Sequence, residues 1–427
     1  MATSYALLEK FFDEFLKQLP TASPAKTSEL MARAEIIFRQ AGYRDELPDD
    51  VKNILVLRTD RIGDMILTSG FLRELRKNFP RAQITLVTSP SVFPIVELCP
   101  YVNEILTFDR FSLDEKEFPA TLPPIVEFCR KNFWHKRFSH AFLPQWDSSN
   151  FSDLLMAWLS GARERIGYGM NPAMEWLGSL DAVAEARDTF LLTKNIISPR
   201  SAVSEAEKNF YVLEAGGFKV EETHMELFFG EEDFLRAREL LQSVPPNCKK
   251  VLLGIGSSGA GRQYPVGKYL VALKELAKKN LVFVIVGGQT ELDDANFIEK
   301  NLPHGKILNL VGKTTLRETE AVVAQTDFYV GNDTGVMHMS AAAQIPCLVL
   351  YREAQDKEEH LPGIFSEFRR FPPWQTNSII LRPDSQLEEC AKLPPVYGWC
   401  HYSESHCITQ ISPQEIVDGF EVLETLG

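Results

Sequence analysis

Asn53-Ile54-Leu55-Val56-Leu57-Arg58-Thr59-Asp60-Arg61-Ile62-Gly63-Asp64 is the stretch that decides the fold of this chain. Its first five residues form a short continuous apolar run, the pattern of a strand buried on both faces. A polar loop, Arg58 to Asp64, follows, and residues 65–78 then carry apolar side chains at helical spacing. Outward from there the alternation continues. Strands are expected at Ile84-Thr85-Leu86-Val87, Glu104-Ile105-Leu106-Thr107 and Ala141-Phe142-Leu143, and helices at 92–98, around 125–131 and at 152–159. Such alternation is the signature of a doubly wound parallel sheet.

A second series of the same kind begins near residue 249. Strands are expected at Val251-Leu252-Leu253-Gly254-Ile255, at 281–286 ending in Gly287-Gly288, at Phe328-Tyr329-Val330 and at Cys347-Leu348-Val349-Leu350. Helices are expected at 266–279 behind Pro265, and at 292–301, 316–325, 335–343 and 412–426. The reading is therefore α/β, two Rossmann-like halves whose strand ends face each other across a ligand cleft. The division follows: a helical N-terminal extension at 1–50, a first domain at 51–240 and a second at 241–427. In the extension, Leu7, Leu8, Phe11, Phe12, Phe15, Leu16 and Leu19 recur at helical spacing. A turn over 20–24 ends that helix, and Ser28 caps a second one at 29–41 before Gly42. This hairpin either packs on the body or serves oligomerisation or acceptor docking. Residues 170–230 are less regular, with turn signals at Asn171-Pro172 and Ser198-Pro199 and a helix at 205–215 stopped by Gly216-Gly217.

The chain has 427 residues, and its 58 acidic against 45 basic side chains leave a net charge of −13. That argues against nucleic acid as the main partner, because duplex binding needs a basic footprint, and gives no support for broad adhesion to anionic lipid. Seven cysteines are too few for a disulfide framework and read as reduced thiols of a cytoplasmic protein. The apolar stretch 11–19 is broken by Asp13, Glu14 and Lys17, and no apolar run reaches the roughly 18 residues needed to span a bilayer. A soluble chain with at most peripheral membrane contact is expected.

Four places invite chemistry. Asp64 falls where the first strand gives way to the first helix, at the usual crevice of an open sheet, with Gly63 allowing close backbone approach. It reads as a helix cap or as a general base. Gly254-Ile255-Gly256-Ser257-Ser258-Gly259 matches the dinucleotide glycine pattern in form, yet Pro265 delays the helix and no acid closes the next strand. The hydroxyls of Ser257 and Ser258, with Arg262, suit phosphate oxygens instead. Gly331-Asn332-Asp333-Thr334-Gly335-Val336-Met337-His338 opens a helix directly after a strand, where free N–H groups and the Thr334 hydroxyl make an anion site. His338 is either a packed core histidine or a donor to phosphate. Cys390, Cys400, His401, His406 and Cys407 gather soft ligands, but no C-x-x-C pair exists among them, and buried thiols with ordinary loop histidines are expected.

Taken together, Arg58-x-Asp60-Arg61-x-Gly63-Asp64 and Asn332-Asp333-Thr334-Gly335-Val336-Met337-His338-x-x-Ala341-Ala342 resemble the two motifs of glycosyltransferase family 9, the ADP-heptose:lipopolysaccharide heptosyltransferases. Between them Arg262 precedes Tyr264-Pro265, where that family usually has Lys before Trp-Pro. Glu291 after Gly287-Gly288 and Gly312-Lys313-Thr314 also fit, and the likeness covers about residues 51–350. Tyr351-Arg352-Glu353-Ala354 replaces the family's Gly-Pro-Thr-like turn.

The resemblance implies a GT-B fold and an inverting reaction with no cofactor and no metal, a sugar leaving an ADP-sugar for an acceptor hydroxyl. It makes Asp64 the general base. Arg262, Thr334 and Gly335, beside Ser257, Ser258, Val336 and His338, would hold the donor diphosphate, with Glu291 on the nucleoside and Asp333 on the donor sugar. Arg58, Arg61 and Gly63 would line the acceptor, a lipopolysaccharide core, another glycan or glycolipid, or a protein. Arg73, Arg76, Lys77 and Arg81 would add positive charge for an anionic acceptor, or form a solvated helix face. Work at the inner face of the cytoplasmic membrane follows from such an acceptor. The competing readings are the same fold with another nucleotide sugar, a non-catalytic GT-B module that binds nucleotide or assembles a complex, and a sugar-nucleotide epimerase.

Overall fold

The apolar run is a strand, β1 (Asn53–Leu57), and residues 54–57 are buried as its lack of alternation requires. It lies in the middle of a six-stranded sheet with β2 (Gln83–Thr88), β3 (Glu104–Thr107), β4 (His140–Leu143), β5 (Glu164–Tyr168) and β6 (Lys194–Ile196). The order is β3-β2-β1-β4-β5-β6, with every pairing parallel. A second sheet holds β7 (Lys249–Gly254), β8 (Leu281–Ile285), β9 (Ile307–Asn309), β10 (Phe328–Asn332) and β11 (Cys347–Leu350). A short antiparallel hairpin, β12 (Glu359–Leu361) with β13 (Ile364–Phe365), precedes its last strand, β14 (Ser378–Leu381). Its order, β14-β11-β10-β7-β8-β9, repeats the connectivity of the first sheet, again all parallel. Each sheet therefore reverses its winding once, between β1 and β4 and between β7 and β10, and ligands of open sheets sit outside the strand ends at such points. This is the two-lobed GT-B arrangement with a helical N-terminal extension.

This computed structural model describes residues 2–18, 24–46, 52–113, 120–146, 151–168, 191–197, 203–257, 259–356, 359–361, 364–391 and 404–426. Ser258, Cys400, His401 and the two expected X-Pro turns, at 171–172 and 198–199, lie outside them.

The extension is a helical hairpin, Ala2–Gln18 and Pro24–Gln40. The second helix starts at Pro24, ahead of the expected Ser28, because proline's fixed φ suits a first turn. Leu8, Phe12, Phe15, Leu30, Ala34 and Phe38 are buried in one cluster with Trp134 and Trp158 of the first lobe. Phe12 lies 5.0 Å from Trp134, ring to ring, and Arg44 ties the hairpin's Glu35 to the Trp158 and Ala162 carbonyls. The packing reading holds: these helices complete the core on one face of the first sheet.

After the helix Glu205–Gly216, residues 218–230 run without regular structure along the first lobe. Arg73 donates to the Glu222 and His224 carbonyls and pairs with Glu226 at 2.6 Å, and Lys77 pairs with Glu222 at 2.8 Å. Arg76 donates to the backbone carbonyls of Tyr101 and Ala82. Of the basic residues near Asp64, Arg73 and Lys77 hold the chain between the lobes, and Arg76 ties its own helix to the first lobe. The helix Glu231–Leu241 then packs against the helix Leu316–Val323 of the second lobe.

Candidate active site

The loop after β1 enters a one-turn helix at Ile62–Ile66, three residues before the expected start at Met65, so Gly63 and Asp64 sit inside its first turn. Asp64 caps that turn by accepting from the Arg61 backbone N–H at 3.4 Å. The cap reading and the base reading are thus both available to one carboxylate, because its other oxygen faces Arg58. Arg58 is only 1% exposed and bridges Asp60 (3.0 Å) and Asp64 (3.3 Å). Its guanidinium is spent on those two carboxylates and orients Asp64, rather than projecting into the cleft. Arg61 is exposed and lies over the Phe111 ring at 5.5 Å, with Arg110 on the same ring at 4.8 Å.

In the second lobe, Asn332 at the end of β10 is fully buried and joins two loops. Its amide donates to the Ile255 and Gly256 carbonyls at 2.8 and 3.2 Å, and its oxygen accepts from the Tyr264 N–H and the Tyr269 hydroxyl. That link brings the loop after β7, with Arg262, against Asp333. Glu291 closes on the same loop from beyond β8. A side chain at Gly256 would begin 2.7 Å from the Glu291 carboxylate, so this glycine serves the approach of an acid as much as of a phosphate. Glu291 accepts from the Gly288 N–H at 2.7 Å.

Thr334 caps the helix Gly335–Ala342. The Thr334 hydroxyl and His338 Nδ1 are buried without a hydrogen-bond partner, and the Tyr329 hydroxyl beside them already donates to the Asn332 carbonyl at 2.6 Å. Buried polar atoms left in this state point to a ligand. Burial pushes the Asp333 carboxyl up to about 7 against the pull of Arg262, and Glu367 and Glu353 add to the push. Burial, with the Arg262 charge second, holds the His338 imidazole down at about 3, so it is neutral near pH 7.

The two lobes meet here. The helix at Ile62–Ile66 packs on the helix at Gly335–Ala342. A side chain at Gly63 would start 2.7 Å from the His338 ring, and one at Gly335 would start 2.8 Å from Ile62. Arg262 lies 3.6 Å from Asp333 and 3.9 Å from Glu367, and Asp64 is among the charges that raise its proton affinity against the cost of burial. A carboxylate of one lobe thus faces an arginine and the free amides of a helix start in the other. Such a pair suits removal of a proton from one group while charge builds on another.

The profile of glycosyltransferase family 9 (heptosyltransferase) matches residues 155–394, more than half of the chain. The chain belongs to glycosyltransferase family 9. This family 9 enzyme is similar to a putative glycosyltransferase of Haemophilus influenzae, 22% identical over 317 residues that cover 72% of this chain and 84% of that one. It is also similar to lipopolysaccharide heptosyltransferase 2 of Escherichia coli, 22% identical over 325 residues, 70% and 82% of the two chains. Among solved structures its fold is shared with a family 9 glycosyl transferase from Veillonella parvula (TM-score 0.69, 20% identity, 90% and 99% covered). The fold also matches ADP-heptose lps heptosyltransferase II of Escherichia coli (TM-score 0.62, 18% identity, 87% and 98% covered).

Of the residues expected at the site, Asp64, Gly63, Arg262, Asp333, Thr334, Gly335 and His338 gather at the crossing of the two lobes. Glu291 sits behind the loop at Gly256. Reading the sequence missed Arg352, Glu353 and Glu367, which join this group from the segment after β11. Arg352 pairs with Glu367 at 2.9 Å, and Glu353 accepts from the Phe368 N–H at 3.4 Å. Among the described residues, no group of three or more His, Cys, Asp or Glu is arranged to hold a metal, and no helix is long and apolar enough to cross a membrane.

Proposed function

We propose that this protein transfers heptose from ADP-heptose to a hydroxyl of a lipopolysaccharide core or related surface glycan, with inversion and without a metal. The observation that carries the reading is that the Asp64 charge acts on Arg262 of the Arg262–Asp333 pair where the Gly63 turn touches the His338 helix. Asp64 takes the proton of the acceptor hydroxyl as that oxygen bonds to the anomeric carbon. The bond from that carbon to the diphosphate breaks, and Arg262, the Thr334 hydroxyl and the amides at Gly335 and Val336 take up the charge gained by the leaving group. Glu291 holds the nucleoside and Asp333 a hydroxyl of the donor sugar. Arg61, beside Phe111, lies on the acceptor side. The donor is a cytoplasmic metabolite, which puts the reaction in the cytoplasm, at the inner membrane face when the acceptor is lipid-linked. The names of the relatives support heptose and ADP, and the free buried atoms at Thr334 and His338 support an anionic ligand.

The test is a calorimetric titration with ADP, UDP and GDP in EDTA, together with turnover of Asp64→Asn on ADP-heptose and a core acceptor. Selective ADP binding retained by the variant, with turnover lowered by a factor of about a thousand or more, is expected. Unchanged turnover would remove Asp64 as the base, and selective UDP or GDP binding would discard the ADP-sugar.

A further inference from the structure

Arg262 is the cation on which the diphosphate would fall, yet it is already engaged. Asp333 lies 3.6 Å from it and Glu367 3.9 Å, and Glu367 is shared with Arg352 at 2.9 Å. Glu367 is 17% exposed and opens the short helix Glu367–Arg370, whose other end pairs Arg370 with Glu205 of the first lobe at 2.8 Å. The helix is therefore held at both ends, by Glu367 on Arg352 and Arg262 and by Arg370 on Glu205. Because Asp333 and Glu367 grip one guanidinium, both carboxylates lie within the width of that group. A diphosphate that claims Arg262 leaves two acceptors beside the first atoms of the sugar, next to the unpartnered Thr334 hydroxyl and His338 Nδ1.

Resting on the donor reading above, we infer that Glu367 selects the donor sugar: it holds Arg262 until the donor arrives, yields it to the diphosphate, and then accepts hydrogen bonds from sugar hydroxyls. Nucleotide alone must break the Arg262–Glu367 contact, which leaves Glu367 on Arg352, and it supplies no donor-sugar hydroxyl in exchange. Nucleotide sugar supplies hydroxyl hydrogens to both acids. The site thus discriminates against ADP, its own product, and favours a neutral polyhydroxy sugar over one bearing a carboxylate.

Calorimetric titration of the full-length protein with ADP and with ADP-heptose separates these roles without turnover. Glu367→Gln removes the competitor for Arg262, so ADP should bind roughly fivefold tighter, the worth of one partly exposed ion pair. The gain from the sugar, expressed as the ratio of the ADP to the ADP-heptose dissociation constant, should fall about tenfold as a charged acceptor becomes a neutral amide. Glu367→Asp keeps the charge and shortens the reach. It should leave ADP binding within about twofold of wild type and still lose most of the ratio. ADP binding unchanged or weaker in Glu367→Gln, or a full ratio in Glu367→Asp, overturns the inference. Wild-type protein that binds neither ligand would instead refute the donor reading itself.

Discussion

Gly63→Ala tests the crossing of the lobes. On helix propensity alone the change should help by about 1 kcal/mol, since Gly63 lies in a helical turn. The neighbour decides otherwise. The new methyl would start 2.7 Å from His338 Cδ2 and 3.4 Å from Nε2. Carbon atoms rest about 3.5–4.0 Å apart, so something must give by about 1 Å. His338 is 4% exposed and edge-on to Phe371 at 6.3 Å between centroids, so the ring has no free direction. Overpacking of this kind costs about 1–3 kcal/mol, which outweighs the propensity gain. The same displacement moves Asp64, one residue on, and a shift of about 1 Å at a reacting group lowers turnover about a hundredfold. Thermal melts of Gly63→Ala, His338→Ala and the double variant read the coupling directly. Removing the imidazole should recover about 1 kcal/mol or more of the glycine substitution's penalty. Penalties that simply add would refute the claim that the two lobes touch through this pair.

Two more predictions concern stability. Burial pushes the Glu320 carboxyl up to about 8, only partly relieved by the Phe228 N–H. The folded protein therefore holds a proton there that the unfolded chain releases above about 4.5. Its contribution is full below that value and is lost as pH rises towards 8, so Glu320→Gln should flatten this fall and raise Tm relative to wild type at pH 8.5. An unchanged difference in Tm between pH 5 and pH 8.5 would count against it. Phe12→Ala, at a fully buried ring against Trp134, should cost about 3–5 kcal/mol with no change in oligomeric mass. A negligible loss would return the hairpin to a docking role.

The winding of both sheets was legible because β1, β7 and β10 are apolar runs followed by polar turns, and each run marks a strand at the reversal point. β5, β6, β9 and β14 were not. Glu164-Arg165-Ile166-Gly167-Tyr168 mixes charge and glycine into a strand, and the other three are short or lie at sheet edges, where apolar residues need not continue. Asp64, Arg262 and Asp333 were legible because each sits on a loop that directly follows a strand. Glu353 and Glu367 were not, since the charged and aromatic stretch from Arg352 to Trp374 reads as lying at the cleft side, but nothing in its spacing says which of its charges face the site. The role of Arg73 and Lys77 was hidden for a related reason: their partners Glu222 and Glu226 lie far along the chain, and no local period connects them.

The clamp on residues 218–226 fixes where the chain passes from one lobe to the other. The Glu226 N–H is held by Ser69 of the first lobe at 2.8 Å, and the Phe228 N–H by Glu320 of the second at 3.3 Å, while the Phe228 ring still packs on Tyr101 of the first lobe, so the chain changes lobe around residues 227–230. A second attachment, from the Trp374 indole to the Thr223 carbonyl at 2.7 Å, lies elsewhere on the same seam. Two points define a line. An opening that keeps both attachments is a rotation about that line, as a door turns on two hinges, and Arg317 with Glu97 and Arg370 with Glu205 are bolts across the seam.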